Sequence, residues 1–303
     1  MNTHENLSRL MARKHYSQSK VAAKTGLSTA VISQYINGKY TGSISAVEHA
    51  INEFISREEE KERNRTVRVG YVPTRLAKRC IEIMRNTQLD GDIGVIYGSA
   101  GLGKTMAMRE YASRDQSAIL IEADPGFTTK VLLEELCIKL GVNKRGNIHE
   151  LSENCINALR DTGKAILIDE AELLPYRALE VLRRIHDRTG VGIVLAGMPR
   201  LLLNLKGRRG EYAQLYSRVG MALDLDANIK RADFDDILAN MLPEDDDGEV
   251  NVDAPLLDAF YKGSKGNYRR LFKLARGVVR AGQIDNQGIS VKLVEEYSKM
   301  LIN

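Results

Sequence analysis

The chain has 303 residues, 43% of them hydrophobic, and a formal net charge of +4. That length allows about two domains and a sizeable core, while the lack of an 18-residue apolar run excludes an obvious membrane span and the start MNTHENLSRL lacks the apolar stretch of a secretory signal. Three separated cysteines (Cys80, Cys137, Cys155) and five scattered histidines form neither a disulfide framework nor a metal-ligand spacing, so buried or free thiols in a reducing cytoplasm are expected, and no zinc.

The first unit is residues 1–56. Residues 1–40 carry Arg9, Arg13, Lys14, Lys20, Lys24 and Lys39 against Glu5 alone. A concentrated positive segment attracts phosphates, although a solvated basic face has the same composition. Residues 18–38, QSKVAAKTGLSTAVISQYING, have the layout of a helix-turn-helix. Ala22 is small where two helices must cross, Gly26 supplies the tight turn, and Val21, Leu27, Ile32 and Tyr35 lock the pair. Ser28 fits an N-cap and Asn37-Gly38 a C-terminal stop. The pattern resembles the phage repressor type of DNA-binding domain. Its recognition helix would run over about 28–36 and turn Ser28, Thr29, Ser33 and Gln34 toward the groove. Arg9, Arg13, Lys14, Lys20 and Lys39 would contact phosphates. The other reading of this unit is a helical bundle for protein contacts.

Residues 57–69, beginning REEEKERNRTVR, are dense in charge and suggest a linker or an exposed helix end. From about residue 70, short apolar runs alternate with amphipathic stretches. The runs Ile93–Tyr97, Ala118–Ile121, Ala165–Asp169, Val191–Ala196 and Met221–Leu225 suit the buried strands of a five-stranded parallel sheet in an α/β fold. After Asn228 the pattern is helical, broken by the acidic stretch 243–249, a solvated turn or a partner site. This divides the chain into residues 1–56, 57–69, 70–228 and 229–303.

Gly98-Ser99-Ala100-Gly101-Leu102-Gly103-Lys104-Thr105 fits GxxxxGK[ST]. It sits between a strand and a helix, as a P-loop requires. There the glycines turn backbone N–H groups around a phosphate and the helix N-terminus adds a positive dipole. Residues 98–105 and the following Met106 would therefore hold the nucleotide phosphates. Lys104 would reach the β- and γ-phosphates, and Thr105 would ligate Mg²⁺. The run Ala165-Ile166-Leu167-Ile168-Asp169-Glu170 has the form of a Walker B strand. Asp169 would join the Mg²⁺ shell and Glu170 would act as general base toward the attacking water.

With GSAGLGKT (98–105), AILIDEAELL (165–174), VGIVLAGMPR (191–200), LYSRVG (215–220) and GNYRRL (266–271) in this order, the chain resembles the AAA+ ATPases. Among them it is similar to the phage Mu transposition protein B family of ATP-dependent target DNA activators. That resemblance implies an AAA+ core with a helical lid behind a helix-turn-helix domain. It implies slow ATP hydrolysis stimulated by DNA or a partner, a helical homo-oligomer on double-stranded DNA, and delivery of that DNA to a transposase. It gives Arg218 the role of a finger reaching a neighbouring subunit's γ-phosphate, with Arg208 and Arg209 as rivals, and gives Arg269 the sensor 2 role. It places DNA-contacting residues at Thr128, Thr129 and Lys130 and at Lys144 and Arg145, and in the C-terminal helix. One departure stands out: the fourth strand ends Ala196-Gly197-Met198, where the family has a polar sensor 1 residue. A helicase loader, a nucleotide-sensing repressor and a nucleotide-switched signalling ATPase are the alternative readings.

Overall fold

The computed structural model describes residues 3–63, 67, 70–207, 213–225, 230–243, 252–284 and 288–302. The rival finger candidates Arg208 and Arg209 and nearly all of the acidic stretch 243–249 lie outside the described residues. The chain divides into two compact units, 1–68 and 69–303.

The first unit is helical: α1 (Thr3–Lys14), α2 (Gln18–Thr25), α3 (Thr29–Ile36) and α4 (Ile44–Arg63). Ser17 and Ser28 cap α2 and α3 by accepting the N–H groups of Lys20 and Val31. Gly26 ends α2 at φ +74°, a left-handed geometry that favours glycine. Val21, Ala22 and Ile32 are buried against Leu7, Leu10, Ile51 and Phe54 from the flanking helices. Of the two readings of the charged segment that begins at Arg57, a linker or a helix end, its start is a helix end, because α4 runs through it to Arg63. Glu58 in that helix is only 3% exposed, and it accepts from Lys14 Nζ (3.2 Å), Lys24 Nζ (3.1 Å) and Tyr16 Oη (2.9 Å). This corrects the phosphate-contact role expected of Lys14, whose charge is committed to a buried carboxylate.

The second unit is a three-layer α/β/α arrangement. Its sheet consists of β1 (Ile93–Tyr97), β2 (Ala118–Glu122), β3 (Ala165–Asp169), β4 (Gly192–Gly197) and β5 (Val219–Asp224). They are parallel, in the order β2-β3-β4-β1-β5. Alternate residues build the two cores. Ile93, Val95, Ile119, Ile166, Ile168, Ile193 and Leu195 face the layer of α7 (Thr129–Leu140), α8 (Ile148–Leu159), α9 (Tyr176–Thr189), α10 (Arg200–Lys206) and α11 (Ala213–Tyr216). Ile96, Leu167, Val194, Ala196 and Leu223 face α5 (Arg75–Asp90) and α6 (Lys104–Arg114). β3 and most of β4 are buried on both faces, which is why their sequences are nearly continuous in apolar residues.

The lid is α12 (Arg231–Met241), α13 (Ala254–Ser264), α14 (Tyr268–Ile284) and α15 (Val291–Met300). Phe260, Leu271, Leu274 and Val294 are fully buried in these lid helices. Arg270 holds them together, donating to the carbonyls of Gly263, Ser298 and Leu301 at 2.7, 3.0 and 3.1 Å. No described helix is long and apolar enough to cross a membrane.

Candidate active site

Because the strands are parallel, their C-terminal ends open along one edge, where α/β sheets bind ligands. β1 hands the chain to the glycine loop and then directly to α6, whose first N–H groups have no intrahelical acceptor. Lys104 Nζ donates to the loop carbonyls of Gly98 (2.7 Å) and Ser99 (2.9 Å). Burial pulls its ammonium below the ordinary lysine range, while the charges of Asp169 and Glu172 pull it back up.

β3 delivers Asp169, 3% exposed, whose Oδ1 accepts the N–H of Glu170 at 2.9 Å. Glu170 has left-handed backbone angles, φ +52° and ψ +36°. That conformation is uncommon for a residue with a side chain and costs on the order of 1 kcal/mol. Glu170 is exposed, and the short 3₁₀ turn Ala171–Leu173 that follows carries Ala171 and Glu172 back into the interior.

A cavity of about 620 Å³ unites these groups. Ala100 through Met106, Asp169, Glu170 and Arg269 all line it, so the structure brings most of the predicted nucleotide residues to one place. Gly98 is buried and Ser99 exposed at the start of the loop. Arg269 is exposed, whereas its neighbour Arg270 is spent on lid carbonyls. Val72, Ala77, Ile237, Met241 and Phe272 form an apolar wall, suited to a flat base. Tyr268 also lines the cavity, and burial pushes its phenol up to about 12. Met198 lines the cavity too and is exposed, so the end of β4 offers no polar side chain of its own. Glu172 and Arg200 are cavity residues that sequence reasoning missed. For Glu172 the only available signal was a second acid two residues beyond Glu170.

Two family models match this chain: an AAA domain over residues 88–205 and a Cro/C1-type HTH DNA-binding domain over residues 6–48. The Mu-like prophage FluMu DNA transposition protein B of Haemophilus influenzae is 28% identical over 67% of this chain and 72% of its own length. The ATP-dependent target DNA activator B of Escherichia phage Mu is 33% identical over 66% of this chain and 65% of its own length. Among solved structures, the Aeropyrum pernix ORC2 protein superposes with a TM-score of 0.59 at 20% identity, over 79% of this chain and 72% of that one. The chain carries an AAA domain and is similar to phage Mu transposition protein B. Its AAA+ core is the five-stranded sheet, its lid is helical, and its N-terminal unit is a helix-turn-helix domain.

Arg218 follows α11 and stands away from the nucleotide cavity. It is 49% exposed, and its Nε donates to Asp187 Oδ1 at 2.9 Å. In the helix-turn-helix unit Ser28, Thr29, Gln34 and Lys39 are exposed and Ser33 is half-buried. Lys130, Lys144 and Arg145 come together around one surface pocket beside α7, although Glu134 and Glu135 share it and Lys130 Nζ lies 3.7 Å from Glu134. Of the two threonines expected beside Lys130, the structure takes only Thr129 from the surface; Thr128 stays exposed. Thr129 is buried, and the Thr128 hydroxyl caps α7 by accepting the Val131 N–H.

Proposed function

We propose that this chain is an ATP-hydrolysing, DNA-binding helper of transposition. It would assemble as a homo-oligomeric filament on double-stranded target DNA when ATP is bound. It would deliver that DNA to a transposase and let go when ATP is hydrolysed, within the cytoplasm of a bacterial or phage-infected cell. The observation that carries the reading is that Lys104, Thr105, Asp169, Glu170 and Arg269 share one cavity in a chain that also has a Cro/C1-type HTH match. The Mu relative's name, ATP-dependent target DNA activator B, supports the transposition link. In this division of labour residues 1–56 engage DNA, 57–69 form a charged connection, 70–228 hold and hydrolyse ATP, and 229–303 form the lid.

Loop N–H groups and Lys104 would bind the phosphates, and Arg269 would report the nucleotide to the lid. Thr105 and Asp169 are the residues that would hold Mg²⁺. Asp169 is a buried carboxylate on the cavity wall, and the described residues contain no cluster of three or more His, Cys, Asp or Glu. That donor set suits a cation that takes few protein ligands and completes its shell with phosphate and water. When bound, the ion supplies neutralisation of charge on the β- and γ-phosphates. In the hydrolytic step the water oxygen bonds to the γ-phosphorus, and the bond to the β–γ bridging oxygen breaks with its electron pair on ADP. The water proton passes to Glu170.

The test is ATPase rate and sedimentation with and without nonspecific duplex DNA, for wild type and Glu170→Gln. DNA-stimulated hydrolysis by wild type and persistent ATP-dependent assemblies of the variant support the reading. DNA binding that ignores ATP, with no assembly, favours instead a repressor with a nucleotide-sensing domain, a reading that the Cro/C1-type HTH match and the apolar Met198 support.

A further inference from the structure

Resting on the ATPase reading above, we propose that Glu172 is a second catalytic carboxylate, which takes a hydrogen bond from the attacking water and so replaces the polar side chain missing from the end of β4.

Glu172 is 9% exposed, and its Oε2 is buried without a hydrogen-bond partner. Leaving a buried charged acceptor unpaired is costly, by more than the roughly 1–3 kcal/mol of a neutral group. Such orphans are rare enough in folded proteins that each calls for a cause. Here the side chain lines the nucleotide cavity together with Glu170, and its charge is felt at Lys104. Its place is fixed from two sides. Asn204 Nδ2 donates to the Glu172 backbone carbonyl at 3.2 Å, and Oε2 presses on Gly197 at the end of β4, where any Cβ would collide with it. The strand end thus lacks a side chain of its own at 197, and the space is taken by a carboxylate from the neighbouring turn.

The chemistry of the orphan selects its partner. An ionised carboxylate only accepts hydrogen bonds, and phosphate oxygens are acceptors too, so Glu172 cannot bond the γ-phosphate directly. It needs a donor, and water supplies one once the carboxyl turns from Gly197, against which Oε2 is packed with almost no accessible surface, toward the cavity the residue lines. A water molecule has two O–H groups. With one given to Glu170 and the other to Glu172, its lone pair is free to approach phosphorus. In the step itself the new bond joins the water oxygen to the γ-phosphorus and the bridging bond to ADP breaks. The departing proton goes to Glu170, which is exposed and can release it to solvent. Glu172 keeps its hydrogen bond throughout and takes no proton.

The experiment uses the full-length protein with saturating duplex DNA. It measures kcat and KM for ATP, the affinity for a fluorescent ATP analogue, and the melting temperature, for wild type, Glu172→Ala, Glu172→Gln and the double variant Glu172→Ala/Met198→Asn. The expected result is a fall in kcat on the order of tenfold or more in Glu172→Ala, with KM, analogue affinity and melting temperature little changed. Glu172→Gln, whose amide oxygen still accepts, should retain most of the turnover. Met198→Asn should restore turnover to the alanine variant by placing a polar group at the strand end. A kcat for Glu172→Ala within twofold of wild type overturns the proposal. So does a loss of turnover that tracks a loss of nucleotide affinity and melting temperature and is restored by neither variant, because that is a packing role. If wild type itself fails to hydrolyse ATP, the ATPase reading falls first and the role of Glu172 falls with it.

Discussion

Asn267, the residue before the lid's longest helix α14, donates its side-chain amide to the carbonyl of Ala100 in the phosphate loop, 2.7 Å away. The next residue repeats the tie, since the N–H of Tyr268 donates to the carbonyl of Gly101 at 3.0 Å. Lid and phosphate loop are therefore linked directly, immediately beside Arg269. Gly101 makes the approach possible. Its φ is +82°, and any Cβ there would strike the Asn267 amide.

Asn267→Ala removes the amide donor to Ala100 and also the cap of α14, where the Arg270 N–H donates to Asn267 Oδ1 at 3.1 Å. The tie to the phosphate loop alone is worth about 1 kcal/mol, so ATP affinity should fall by roughly fivefold or more. Titration with a fluorescent nucleotide measures this, and unchanged affinity would mean the tie contributes nothing to nucleotide binding. Gly101→Ala should be worse, since it adds a left-handed backbone penalty to the collision. Combining it with Asn267→Ala relieves the collision but leaves roughly 1 kcal/mol of backbone strain, so recovery should be partial.

In the helix-turn-helix unit, Glu58 ties α4 to Lys14 of α1, Lys24 of α2 and Tyr16 between them. Glu58→Ala leaves two ammonium groups that keep some solvent access, 14% for Lys14 and 33% for Lys24. They can rehydrate in part, so the loss belongs near about 1.5–3 kcal/mol, the range for hydrogen bonds to charged groups. Thermal melting of residues 1–68 within the whole chain, followed by tyrosine fluorescence, checks it. DNA affinity at a temperature where the unit stays folded should not fall, because Glu58 is buried and its loss frees the charges of Lys14 and Lys24.

Lys144 and Arg145 are exposed in the loop after α7, and Lys130 shares their pocket. If all three meet DNA phosphates, Lys144→Ala with Arg145→Ala should flatten the dependence of log affinity on log salt by about 1–2. Lys130→Ala should add less, because Glu134 already neutralises part of its charge at 3.7 Å. An unchanged salt slope removes this pocket from the DNA path.

The parts of the molecule that follow from local rules were legible in the sequence. β1 and β3 fall on their predicted residues, and the phosphate loop lies between strand and helix as its spacing requires. β5 begins two residues earlier than expected, at Val219. Its exposed alternate residues give it no continuous apolar run, so its start carried no signal. Glu172 was unreadable for a different reason. Two acids after a strand also describe the first turn of a helix, and only the packing of β4 against the 3₁₀ turn buries the second one. Lys14 and Glu58 are separated by 44 residues, and charge counts along the chain say nothing about which lysine a distant carboxylate will claim. Asn267 was visible as part of a motif, but its tie to Ala100 spans 167 residues and depends on the lid closing over the sheet edge.

Arg218 gives the sharpest test of the proposed assembly. Within its own chain it donates to Asp187, which also accepts from Arg183 Nη1 at 2.5 Å. An exposed pair of this kind is worth at most about 1 kcal/mol, so a γ-phosphate on a neighbouring subunit, with more charge and less water, can draw the guanidinium away from Asp187. Arg218→Ala should then bind ATP normally and lose DNA-stimulated turnover. Lys104→Ala should also be inactive, because it lacks the lysine that reaches the phosphates, yet it keeps its Arg218. Mixing the two inactive proteins on DNA should restore hydrolysis, since a Lys104→Ala subunit can offer its arginine to the nucleotide of an Arg218→Ala neighbour. A mixture that stays silent while both proteins still co-assemble would show that Arg218 acts within its own subunit or not at all. Asp187→Asn should raise wild-type turnover modestly by loosening the arginine from its resting partner, and a fall in turnover there would mean that Asp187 positions the finger rather than restraining it.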